Sequence, residues 1–109
     1  MILGGVGEPE RDYPLTTDFS DEGNYPYFLW DDPMTVAEFK HALKTLSEPE
    51  RRRLLGKLLR EARDTDVWFF TTPQQVWAEF DVLRPHLGRR RGFWEHLLRI
   101  WHEAGYLGE

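Results

Sequence analysis

The sequence predicts an all-α protein: a body of four helices paired as two antiparallel hairpins, preceded by an extended acidic segment. Three observations predict it. From Met34 onward, apolar residues recur at three- and four-residue spacing. Three S/T-x-x-E/Q signatures announce helix starts. No run alternates polar and apolar residues as a half-buried strand would.

The first helix opens at Thr35-Val36-Ala37-Glu38, a capping box in which the Thr hydroxyl accepts from the Glu38 amide while Glu38 reaches back. Val36, Phe39, Leu43 and Leu46 then form one apolar stripe. Ser47-Glu48-Pro49-Glu50 reads as a second box, with Pro in the first turn where its missing N–H does no harm. The helix it opens turns Leu54, Leu55, Leu58, Leu59 and Ala62 inward, and Asp64-Thr65-Asp66 ends it. Val67-Trp68-Phe69-Phe70 is too short for periodicity and is expected to bridge two helices, packed inward.

Thr72-Pro73-Gln74-Gln75 is the third box, and Val76, Trp77, Phe80 and Leu83 face one way beyond it. Pro85 ends that helix, and Gly88 supplies the turn into the last one. Residues 89–104 carry two apolar lines: Phe93, Leu97 and Ile100, then Trp94, Leu98 and Trp101. Gly105 is the expected stop. Short connections predict antiparallel packing of successive helices.

The length of 109 residues allows one folded body. Charge divides the chain at residues 33 and 34. Residues 1–33 hold eight acidic residues against Arg11, a charge of −7, whereas residues 34–109 hold 13 basic and 11 acidic residues, a charge of +2. Such block asymmetry marks an interaction segment joined to a folded domain. Residues 4–24 show neither period and are expected to be flexible. They lead into the aromatic hexamer Tyr25-Pro26-Tyr27-Phe28-Leu29-Trp30, closed by Asp31-Asp32-Pro33.

Chemistry has few places to reside. The absence of Cys excludes disulfides, thiol nucleophiles and Cys-ligated metals. His41, His86, His96 and His102 are never three or four apart, the spacing that sets two metal ligands on one helical face. His96 with Glu103 and Glu95 with His102 are seven apart; these read as a solvated face with a Glu95–Arg99 ion pair. The Gly4-Gly5-x-Gly7 run neither follows a strand nor opens a helix, so it makes no phosphate cradle. Ser20 and Ser47 are the two serines, one in the leader and one at a cap. No catalytic residue, cofactor or metal is expected. No apolar run is long enough for a membrane span, and the first residues lack a signal-peptide pattern, so a cytoplasmic protein is expected.

Binding remains. Tyr25, Tyr27, Phe28 and Trp30 supply aromatic area beside Asp31 and Asp32, a combination suited to a basic cleft on another protein, such as nucleic-acid-handling enzymes present. The plainer reading is that it docks on the chain's own body. Arg89, Arg90 and Arg91 form the second candidate surface. Three arginines at a helix start also suggest a helix-turn-helix DNA binder, the second reading. A net charge of −5 and the apolar last helix weigh against it. A homodimer closed through the Trp94 and Trp101 face is the third.

From Tyr25 to Leu107 the order of motifs resembles a group of small uncharacterised bacterial proteins. The likeness is carried by Phe28-Leu29-Trp30-Asp31, Leu58-Leu59-Arg60-Glu61-Ala62-Arg63, Asp66-Val67-Trp68 and Thr72-Pro73. Leu87-Gly88-Arg89-Arg90-Arg91, followed by Phe93-Trp94, completes it. Such proteins look like partners of nucleotidyltransferase-type toxins of the abortive-infection kind. The resemblance implies an antitoxin that blocks its toxin by direct binding, and residues 1–24 have no counterpart in it.

Overall fold

The four backbone N–H groups that open a helix have no acceptor within it, and at the first long helix of this chain all four are satisfied. The structure is a computed structural model and describes residues 14–107. In it α1 runs over Val36–Thr45. The Thr35 amide donates to Glu38 Oε1 at 2.8 Å, and the Glu38 amide donates to Thr35 Oγ1 at 3.1 Å, which is the expected capping box. The remaining two come from upstream: the Val36 amide donates to the Asn24 carbonyl at 2.9 Å, and the Ala37 amide to the Glu22 carbonyl at 3.1 Å.

Those two carbonyls belong to a stretch expected to be flexible. Residues 1–13 of the leader lie outside the described residues, but residues 14–24 form an ordered loop. Asp18 and Asp21 organise it through their own neighbours, as Asx side chains do in turns. The Ser20 hydroxyl and amide donate to Asp18 Oδ1 at 2.6 and 3.0 Å, and the Gly23 amide donates to Asp21 Oδ1 at 2.9 Å. Asn24 Nδ2 closes the loop onto the Asp18 carbonyl at 2.9 Å. The Ser20 bonds favour the ionised carboxylate and hold the Asp18 pKa below its ordinary 3.8. This local support is present at neutral pH and fades as pH falls below that value.

The chain forms two compact units that divide between Phe39 and Lys40, within α1. In the first, β1 (Leu15–Thr16) pairs in parallel with β2 (Tyr25–Pro26), Leu15 opposite Tyr25. This two-residue pairing is the one departure from all-helical structure among the described residues. A 3-10 turn over Tyr27–Leu29 follows. The core is an aromatic knot. The Phe28 ring meets Phe39 at 5.4 Å, Tyr27 at 5.5 Å and Phe19 at 6.0 Å, all edge-on, the geometry ring quadrupoles favour. Phe19, Phe28, Leu29, Val36 and Phe39 are all buried.

The second unit is helical. Its elements are α2 (Glu48–Glu61), α3 (Asp64–Val67), α4 (Pro73–Ala78), α5 (Phe80–Leu83) and α6 (Arg91–Glu103), with 3-10 turns at Arg84–His86 and Gly88–Arg90. Where four helices are predicted, six α-helices form among the described residues. The Asp64-Thr65-Asp66 stop is itself a short helix. The third predicted helix breaks at Glu79, whose backbone leaves the helical region at φ −108° and ψ 10°. Among the described residues no helix is long and apolar enough to cross a membrane.

The α2 stripe is as expected: Leu54, Leu55, Leu58, Leu59 and Ala62 are buried, with Val67, Val76, Phe80, Leu83, Leu87, Trp94 and Leu98. Other expectations are corrected. Leu46 lies exposed, and the α1 stripe continues through Ala42 instead. Ser47 stands at the N-cap of α2 but its side chain makes no cap bond, and Glu50 pairs with Arg53 at 3.2 Å rather than reaching back. Thr72 does cap α4, accepting from the Gln75 amide at 3.1 Å, while the Gln75 side chain turns to Glu79. Val67 is buried, but Phe69 in the same bridge is exposed. Glu95 pairs with Arg84 at 3.5 Å, not with Arg99.

Helix α6 ends as predicted. Gly105 has φ +85°, its amide donates to the His102 carbonyl and the Tyr106 amide to Trp101, at 3.0 and 2.9 Å. That bond pair is a Schellman motif.

Gly56 has a role that periodicity does not reveal. It is buried in α2, and a Cβ built there would lie 2.4 Å from the Cβ of His86. Both Cβ positions are fixed by their backbones, so no change of rotamer relieves the approach. Alanine favours a helix interior over glycine by about 1 kcal/mol. Gly56→Ala is nonetheless expected to destabilise by about 1–3 kcal/mol, the usual cost of overpacking. Chemical denaturation measures it, and a stabilised variant would contradict the close approach.

Candidate functional site

The two surfaces predicted to bind are divided differently from their sequence grouping. In the first unit, the aromatic hexamer splits within three residues. Phe28 and Leu29 point inward and are buried, whereas Trp30 is 51% exposed. Tyr25 and Tyr27 are half-buried, Tyr27 stacked on Phe19 at 6.2 Å. Asp31 is exposed and Asp32 is partly so. The Asp32 amide donates to the Leu29 carbonyl at 3.1 Å, so the corner carrying Trp30, Asp31 and Asp32 is hydrogen-bonded to the turn beneath it. A large indole is thus held out on an ordered corner beside two carboxylates.

In the second unit, the arginine turn also splits. Arg89 and Arg91 are exposed. Arg90 is engaged internally: its Nη1 donates to the Ala62 carbonyl at 2.6 Å, and its guanidinium lies 4.9 Å from the Phe93 ring centre and 5.3 Å from that of Trp94. A cation at a helix C-terminus suits both the free carbonyls and the dipole of α2. Arg60 makes a similar join, with Nη1 donating to the His86 carbonyl at 2.9 Å. Of the three candidate arginines, one therefore fastens the fold.

The Trp94 face is used in the same way. Trp94 is fully buried, its Nε1 donates to the Leu59 carbonyl at 2.8 Å, and its ring meets Trp68 edge-on at 5.6 Å. Trp101 is half-buried and lies 6.0 Å from Trp68. Of the two residues proposed to close a homodimer, Trp94 belongs to the unit's own core, whereas Trp101 keeps part of its surface in solvent. The other line of α6 faces outward, with Phe93 42% and Ile100 47% exposed.

A cleft of about 360 Å³ in the second unit was not legible in the sequence. Lys40, Leu43 and Lys44 of α1, Arg51 and Leu55 of α2, the Phe69-Phe70-Thr71 bridge and Gln75 line it. No carboxylate is among them. The Lys40 ammonium sits 4.9 Å from the Phe69 ring centre, a cation–π distance. Arg51 is held by Glu79 and by Glu48, and the Glu79 hydrogen bond raises its pKa above the ordinary value.

The histidines are dispersed. His41 and His96 are exposed, His86 abuts Gly56, and the His102 ring stacks on Trp77 at 4.7 Å. Among the described residues no three His, Asp or Glu side chains gather as a metal site would require.

No protein-family model matches the chain, and no curated protein or solved structure is similar to it.

Proposed function

We propose that this chain is a non-enzymatic protein-binding module, acting as an antitoxin-like inhibitor or adaptor on a basic, nucleic-acid-handling partner. One observation carries the reading: Trp30 stands half in solvent on a hydrogen-bonded corner beside Asp31 and Asp32. An indole presented from a hydrogen-bonded backbone turn contributes large buried area on binding, and binding hot spots are rich in tryptophan. The adjacent carboxylates select a cationic partner and speed encounter with it. Tyr25 and Tyr27, half-buried, supply further aromatic area in the same segment. The antitoxin form rests on the resemblance of the motif order from Tyr25 to Leu107.

The test is capture from a native lysate of the protein's own source, using the intact chain tagged at its C-terminus. A stoichiometric basic protein, released as salt is raised, is the expected result. Trp30→Ala is expected to abolish capture while the melting temperature barely moves, since exposed substitutions usually change stability by about 0.5 kcal/mol or less. Unfolding of Trp30→Ala would make this side chain structural and end the reading. Recovery of nucleic acid without protein would favour the DNA-binding alternative, for which Arg89 and Arg91 offer exposed charge. A nucleotidyltransferase in the eluate would support the antitoxin form.

A further inference from the structure

Helix α6 leaves one face uncovered, and that face is complementary to itself. Phe93, Leu97 and Ile100 follow one another at four- and three-residue spacing and make a single stripe. Phe93 and Ile100 are close to half exposed and Leu97 is partly so. Ala104, exposed, continues the line beyond the helix end. The Arg90 guanidinium, itself bonded to Ala62, lies over the Phe93 ring, so the first residue of the stripe is held by a neighbour that is already fixed. Large apolar side chains in a row on one helix normally mark a contact surface.

The charges flanking the stripe say what covers it. His96 and Glu103 are seven residues apart in α6 and fall along one flank, and Arg89 precedes His96 by the same interval, in the 3-10 turn ahead of the helix. Arg89 lies in the turn that leads into α6, and Glu103 is its last residue. Both are exposed. One end of the face is therefore positive, the other negative, and the middle apolar. The 13 residues of α6 span about 20 Å at 1.5 Å per residue. Rotation by half a turn about an axis near His96 and Leu97 exchanges the two ends. It sets Phe93 of each copy opposite Ile100 of the other and brings Arg89 beside Glu103 at both ends. The helices run antiparallel in this arrangement, which also opposes their dipoles favourably. A foreign partner needs no such internal polarity, whereas an isologous contact must be self-complementary, and this polarity makes the face so.

We infer that the Phe93–Leu97–Ile100 face of α6 is a homodimer interface, closed by reciprocal Arg89–Glu103 ion pairs. The contact is small, so the dimer is reversible and concentration-dependent. The inference is separate from the protein-partner reading, which rests on residues of the first unit.

Sedimentation of the intact chain over a concentration series tests it. Wild type is expected to pass from monomer to dimer. Ile100→Asp is expected to weaken association about 100-fold, because symmetry places the buried carboxylate in the contact twice. Its site is exposed, so its circular dichroism and melting temperature should match wild type. Charge reversal gives the sharper result. Arg89→Glu sets glutamate against Glu103 at both ends, and Glu103→Arg sets arginine against Arg89; each alone is expected to weaken association about tenfold or more. Mixing the two variants restores opposite charges at both ends, so a heterodimer should form where neither variant self-associates. A wild type that stays monomeric throughout, an Ile100→Asp variant that dimerises unchanged, or mixed variants that fail to pair would each overturn the proposal.

Discussion

Trp94→Ala is expected to lower the stability of the second unit by about 3–5 kcal/mol, the range for removing a buried large aromatic. The indole is fully buried and packs edge-on to Trp68 and Phe93, so its loss opens a cavity that neighbouring rings cannot fill by small shifts. It also donates to the Leu59 carbonyl, which lies in the last turn of α2 and has no partner further along the helix. Trp94→Phe separates the two contributions. It keeps most of the ring but leaves that carbonyl unsatisfied, and should cost about 1–3 kcal/mol. Urea midpoints of the three proteins give both steps. A phenylalanine variant as stable as wild type would show that the carbonyl is satisfied another way.

Phe28→Ala should act as strongly on the first unit, again by about 3–5 kcal/mol. Phe28 contacts Phe19, Tyr27 and Phe39, so its removal leaves the remaining rings without a common neighbour. The amides of Val36 and Ala37 report the loss, because their acceptors sit in the loop that this cluster holds in place. Hydrogen exchange at those two amides should become fast in Phe28→Ala and stay slow in Trp30→Ala. Continued protection in Phe28→Ala would mean the loop is held without the aromatic knot. Two residues separate side chains of opposite use: one fixes the unit and the other projects from it.

The sequence made the helical class and much of the core legible because both follow from periodicity. Leu54, Leu55, Leu58, Leu59 and Ala62 recur on one face of α2, and all are buried. The Thr35–Glu38 box and the Gly105 stop were readable for the same reason, since each depends on a few adjacent residues. Features set by distant residues were not. Phe93, Leu97, Ile100 and Trp94, Leu98, Trp101 are equally good helical lines, and only packing against Leu59 and Trp68 decides which turns inward. Arg90 looks like its neighbours Arg89 and Arg91 until the end of α2 arrives beside it. Composition marks residues 4–24 as flexible, yet within them Asp18-x-Ser20 and Asp21-x-Gly23 are local turn signals that favour order. The Trp30 corner was legible as a segment, but the division between Phe28 and Trp30 was not, because it depends on Phe39 and Phe19 arriving on one side.

The caps that Glu22 and Asn24 place on α1 have a consequence for how the chain is made. The two carbonyls precede the amides they receive by 12 and 15 residues, so closing the contacts costs little loop entropy. Everything needed to finish the start of α1 has therefore left the ribosome once Glu38 has. Contacts this local form early. The first unit can take shape while the arginine turn and α6 are still being translated, and the exposed tryptophan is then in place before the last helix exists.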